Sequence, residues 1–110
     1  MDRDIERRHR PTGWVVFGES QAILAGNAMF ALAVETLLDS GLAGQRSLPG
    51  LLEATQLLIG GQSQDLLLET RADVQLQEVV AMEAGKTAAL LSYASAVGAL
   101  GAGAPDHIIA

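Results

Sequence analysis

Apolar residues that recur at steps of three and four, through a chain rich in small side chains, constrain the fold most. Val15, Val16, Ala22, Ile23, Met29, Phe30, Ala33, Val34, Leu37 and Leu38 follow this spacing and predict a helix over residues 14–38. Gly41 and Gly44 are expected to stop it. Ser47 reads as the N-cap of a second helix, with Pro49 and Gly50 in its first turn and Glu53 near its open N–H groups. That helix carries Leu51, Leu52, Leu57, Leu58 and Ile59 past Gly60 and Gly61 toward Leu68. After a polar stretch from Glu69 to Asp73, Asp73 is expected to cap a third helix reaching about Gly101. Gly101, Gly103 and Pro105 end it, and Asp106 opens a final turn. Residues 1–12 are polar, and Pro11 disfavours helix just before it. No repeat and no strand pattern is visible, so the expected architecture is all-α, helix on helix, in a single segment spanning residues 1–110.

Composition agrees with close helix packing. Half the chain is hydrophobic (49%) but only 4% is aromatic, and there are 12 glycines. At 110 residues the core is small. The net charge of −6 argues against a general nucleic-acid binder. With no cysteine and two histidines, neither a disulfide framework nor a zinc site is expected. The charged start is not expected to be a signal peptide. Residues 87–104 carry no charge, so spans at 14–38 and 79–104 are a competing reading. The Ala, Gly and Ser content of the second favours a buried core helix over membrane insertion.

Three strings carry chemistry. The first runs from Asp2 to Thr12 and mixes Asp2, Asp4 and Glu6 with Arg7, Arg8 and Arg10. Carboxylates that hold Mg²⁺ and guanidinium forks that grip oxygens suit a phosphorylated ligand; from spacing alone, a solvated charged helix end fits better. In the second, Gln62 and Asp65 share a helix face beside Gly60 and Gly61, which remove side chains where something approaches closely. A helix kink with polar residues outside gives the same string. The third places Lys86, the one lysine, and Thr87 in an apolar helix after Gly85. Burying them without partners is costly, whereas a snorkelling lysine is not. This is no phosphate-binding loop, because Val80 stands where that pattern needs glycine.

Together and in order, these strings resemble the trans-isoprenyl (polyprenyl) diphosphate synthases. Asp2 stands at the last Asp of the family's DDxxD, and Arg7, Arg8, Pro11 and Thr12 match RRGxPT, with His9 in place of the Gly. Gly61, Gln62, Asp65 and Leu66 match GQxxDL, and Lys86 and Thr87 match the helix-breaking KT. The resemblance implies the antiparallel helices of the isoprenoid synthase fold, with this chain as the central portion of a longer domain. Met1 is then an internal methionine of DDxxD.

The resemblance also implies a cytoplasmic, Mg²⁺-dependent prenyltransferase that joins isopentenyl diphosphate to an allylic diphosphate. Asp2 would ligate magnesium. Arg7 would hold the allylic diphosphate and Arg8 the isopentenyl diphosphate. Gln62 and Asp65 would line the allylic site, Lys86 would pair with diphosphate, and Thr87 would face the developing cation. A homodimer through residues 14–38 and 51–68 is implied as well. A non-catalytic dimerisation module derived from such a synthase is the alternative, and the isolated chain is expected to be inactive.

Overall fold

The computed structural model describes residues 4–109. The chain forms two compact units, one ending at Thr36 and one beginning at Leu37.

The first unit opens with a hairpin that the sequence did not announce. β1 (Glu6–Arg7) pairs antiparallel with β2 (Arg10–Pro11), with Glu6 opposite Pro11 and Arg7 opposite Arg10. Arg8 and His9 form the two-residue turn, both with positive φ (52° and 62°), as such a tight connection demands. The ends of the hairpin are tied by the Asp4 carbonyl, which accepts from Thr12 Oγ1 at 2.8 Å and from Trp14 Nε1 at 2.9 Å. The Thr12 N–H adds a bond to the Ile5 carbonyl at 3.0 Å.

The helix expected over 14–38 is broken once. α1 (Gly13–Phe17) ends at Gly18, whose φ of +89° no helix accommodates, and α2 (Glu19–Asp39) continues alone. None of the side chains of α2 is buried among the described residues, and Ile23, Leu24, Met29 and Leu32 are exposed. By length and composition α2 is apolar enough to cross a membrane. Residues 87–102 of the uncharged stretch belong to a continuous helical rod that ends at Gly103.

The second unit is built on α3 (Gly41–Leu68). Gly41 marks the break as expected, with φ of +66°, but Gly44 lies inside the new helix. It sits against the Leu37 carbonyl, leaving no room for a Cβ. Ser47 is therefore not a cap. It is 2% exposed, and its hydroxyl is placed against the Ala43 carbonyl at 3.0 Å and the Val97 carbonyl at 3.4 Å. Pro49 stands within the helix, so the carbonyl one turn earlier lacks its usual donor.

A polar loop leads to α4 (Leu76–Glu83), a π-helical turn (Ala84–Ala88) and α5 (Ala89–Ala102), which form one rod. Asp73 does not cap it. Asp73 pairs with Arg71 at 3.1 Å, and Gln75 stands at the cap, its N–H bonded to Glu78 Oε2 at 2.9 Å. Gly103 and Pro105 end α5, and the short α6 (Asp106–Ile109) follows.

α3 and the rod run antiparallel. Ala43 and Ser47 lie by Gly101, Gly50 by Tyr93, and Gly61 by Gly85 and Lys86. Small residues at each crossing allow this approach. The core between them is narrow: Leu51, Ala54 and Met82 are its buried apolar side chains among the described residues. Leu57, Ile59, Leu67 and Leu91 on the same helices are exposed. The all-α class expected from the sequence holds, with the hairpin as its one addition.

Candidate functional site

Two glycines position the polar cluster. A Cβ on Gly61 would strike the Lys86 amide nitrogen and come within 2.8 Å of the Gly85 carbonyl carbon. On the other side, a Cβ on Gly85 would lie 2.9 Å from the Leu57 carbonyl oxygen. Backbone thus meets backbone where α3 crosses the π-helical turn. In that turn the Ala89 N–H bonds the Ala84 carbonyl, five residues back, so one extra residue is fitted into the rod.

This contact delivers Lys86 to α3. Its Nζ donates to Asp65 Oδ2 at 2.7 Å, and Gln62 Nε2 donates to the same oxygen at 3.2 Å. The Lys86 and Asp65 side chains are only 29% and 18% exposed, so the pair is partly shielded from water. The Lys86 ammonium, first by its hydrogen bond and also by its charge, holds the Asp65 carboxyl below its ordinary range, against the opposing effect of burial; Gln62 adds to the lowering. The carboxylate fixes the ammonium, and the amide fixes the carboxylate.

Thr87 leaves the rod in another direction. It is exposed and lines a groove of about 530 Å³ with Val80, Glu83 and Leu91. A larger groove of about 810 Å³ lies over the glycine contact, floored by Gly60, Gly61, Ala84 and Gly85 and edged by Gln56 and Gln64. Arg7 ends β1 and Arg8 begins the turn of the hairpin, both exposed. Asp2, the expected magnesium ligand, lies outside the described residues. No group of three or more His, Asp or Glu side chains able to hold a metal occurs among the described residues. The second unit thus brings Gln62, Asp65 and Lys86 together and turns Thr87 to a separate groove.

Sequence reasoning missed the Thr12 and Trp14 clamp, the opposition of Arg7 and Arg10, and the role of Gly85 as partner of Gly61. The first two had no signal, because Arg-His is not a composition that marks a tight hairpin. Gly61 did carry one, since paired glycines announce a close approach without naming the partner.

A helical pair that fixes its one lysine through GQxxDL and a broken KT helix agrees with the outcome of sequence comparison. The polyprenyl synthetase family profile matches residues 1–110. The chain belongs to that family. Among the similar polyprenyl synthetases, the (2E,6E)-farnesyl diphosphate synthase of Mycobacterium bovis is 52% identical over 110 residues, which are 98% of this chain and 30% of that protein. The geranylgeranyl diphosphate synthase of Mycobacterium tuberculosis is 43% identical, covering 100% of this chain and 32% of its own length. The geranylfarnesyl diphosphate synthase of Aeropyrum pernix is 39% identical, covering 98% and 36%. The chain therefore spans about a third of the length of these curated relatives.

Proposed function

We propose that the chain is the central portion of a prenyltransferase that condenses isopentenyl diphosphate with an allylic diphosphate in isoprenoid biosynthesis. The observation that carries the reading is the Gln62–Asp65–Lys86 cluster, an ammonium held in place on a helix that is otherwise apolar. Such a fixed cation suits the charge that develops when a diphosphate departs. The allylic C–O bond breaks, and the diphosphate leaves with the electron pair. The isopentenyl double bond then attacks the allyl cation, and loss of a proton restores a double bond in a chain five carbons longer.

Lys86 pairs with the departing diphosphate and Asp65 positions Lys86, with Gln62 beside them in the allylic site. Arg7 holds the allylic and Arg8 the isopentenyl diphosphate. Thr87 faces the cation from its groove. Asp2 would be one ligand of a Mg²⁺ ion, which would supply charge to neutralise the diphosphate. The protein is a soluble, cytoplasmic homodimer whose interface uses the exposed apolar faces of α2 and α3.

The test is incorporation of isotope-labelled isopentenyl diphosphate by the parent-length protein. Lys86→Ala and Arg7→Ala are expected to abolish it, and full turnover in both would overturn the reading. The 110-residue chain alone is expected to show none. The second reading, a non-catalytic helical dimerisation module, is favoured by the uncovered side chains of α2. It is the outcome if the parent-length protein dimerises but incorporates no label.

A further inference from the structure

We propose that Arg10 is a further diphosphate-binding residue, acting with its cross-strand neighbour Arg7 as one guanidinium pair. The inference rests on the reading of Arg7 given above and adds a residue that only the hairpin brings forward.

In the sequence the obvious doublet is Arg7 and Arg8. The register sets Arg7 opposite Arg10 instead. Residues directly opposed across an antiparallel pair carry their side chains on one face, with Cβ atoms about 5 Å apart. Arg8 begins the turn, with φ of 52°, and stands outside the ladder.

Like charges in this relation repel and destabilise a hairpin. Nothing described offsets them. Arg7 and Arg10 are exposed, and no carboxylate among the described residues forms an ion pair with either. The nearby Glu6 lies opposite Pro11 and approaches His9 Nδ1 at 4.0 Å. The hairpin is nevertheless fastened by the Thr12 and Trp14 bonds to the Asp4 carbonyl, so the pair is held side by side.

Two planar forks at this spacing match a ligand with oxygens on two adjacent phosphorus atoms. Each guanidinium can donate two parallel N–H groups. A diphosphate offers oxygens and negative charge on both phosphorus atoms and can fill both forks at once, whereas a carboxylate fills one.

The experiment uses the parent-length protein with both diphosphate substrates, and inorganic pyrophosphate as a competing probe. Arg10→Ala and Arg10→Gln are expected to raise KM for the allylic diphosphate and the inhibition constant of pyrophosphate by roughly ten- to hundredfold, the range one charge-assisted hydrogen bond supports. The change in kcat is expected to be small, because the contact is made before reaction as well as during it. Arg10→Lys keeps the charge without the fork and should fall between. Arg7→Ala combined with Arg10→Ala should weaken direct binding of inorganic pyrophosphate by less than the product of the single effects, since the two act on one group. Melting temperatures should stay level or rise slightly as the repulsion is removed.

Unchanged KM and pyrophosphate inhibition in both Arg10 variants, with Arg7→Ala impaired, would overturn the role of Arg10 alone. If Arg7→Ala is also unimpaired, the reading of the hairpin as a diphosphate holder falls with it. Unfolding of Arg10→Ala and Arg10→Gln alike would make the residue structural and equally overturn the proposal.

Discussion

Adding one methyl group at Gly61 should do more damage than almost any other single-carbon change in the second unit. A Cβ there would stand 2.8 Å from the Gly85 carbonyl carbon and 2.9 Å from the Lys86 Cα, closer still to the Lys86 amide. Ordinary carbon contacts need about 3.5–4.0 Å, so α3 and the π-helical turn must part by at least about 0.7–1 Å. Both surfaces are backbone, and neither can swing aside as a side chain would. The same displacement applied to the Lys86–Asp65 bond would stretch it from 2.7 Å to about 3.5 Å, past a useful hydrogen bond.

Overpacking of this kind costs about 1–3 kcal/mol, and the rigid backbone on both sides puts Gly61→Ala near the top of that range. The gain in helix propensity offsets about 1 kcal/mol, leaving a net loss of about 2 kcal/mol. Gly60 supplies the control. A Cβ on it meets nothing within 4 Å, so Gly60→Ala should gain up to about 1 kcal/mol from propensity alone. Denaturant unfolding of the two parent-length variants measures the difference, and labelled isopentenyl diphosphate incorporation reads the effect on Lys86. Equal stabilities, or a Gly61→Ala variant with unaltered turnover, would refute the argument that this glycine sets the lysine.

Acid should weaken the second unit in a defined window. The Asp65 carboxyl is held below its ordinary value of 3.8, so its ionised form favours the folded state; that stability is complete above about pH 4 and is lost as pH falls through the depressed value. Unfolding followed from pH 6 to pH 2 should show Lys86→Met losing this share of the acid dependence. The share from Asp73, lowered beside Arg71, and from Glu78, lowered first by the Gln75 N–H and then by Arg71, should remain. At the hairpin, His9→Gly removes a side chain from a φ of +62° and should stabilise the protein by about 1 kcal/mol, seen as a higher melting temperature.

α3 and the rod were legible because a covered face leaves a three- and four-residue rhythm, and α2 carries the same rhythm although none of its side chains is buried among the described residues. Gln62 with Asp65, and the lone lysine in an apolar stretch, were legible because polar groups there need partners. The start of α3 was not. Ser47-Leu48-Pro49 reads locally as a cap and first turn, yet tertiary contact with α5 turns the Ser47 hydroxyl inward and carries the helix back to Gly41. Asp73 gave way to Gln75 for a similar reason, since Arg71 captures its carboxylate. The hairpin was invisible because two-residue strands leave no alternation to detect, and its turn lacks glycine. Thr87 was grouped with Lys86 by adjacency, whereas successive helical residues diverge by about 100°.

The widened turn at Ala84–Ala88 acts on the rod as a phase shifter. Upstream, Met82 is buried; downstream, the Tyr93 and Leu100 side chains face Gly50. An uninterrupted spiral would tie these two faces to one fixed angle, and any correction in one would misalign the other. The inserted residue uncouples them, so the stretch before the lysine and the stretch after it can each be tuned against its own neighbours while the ammonium stays where it is.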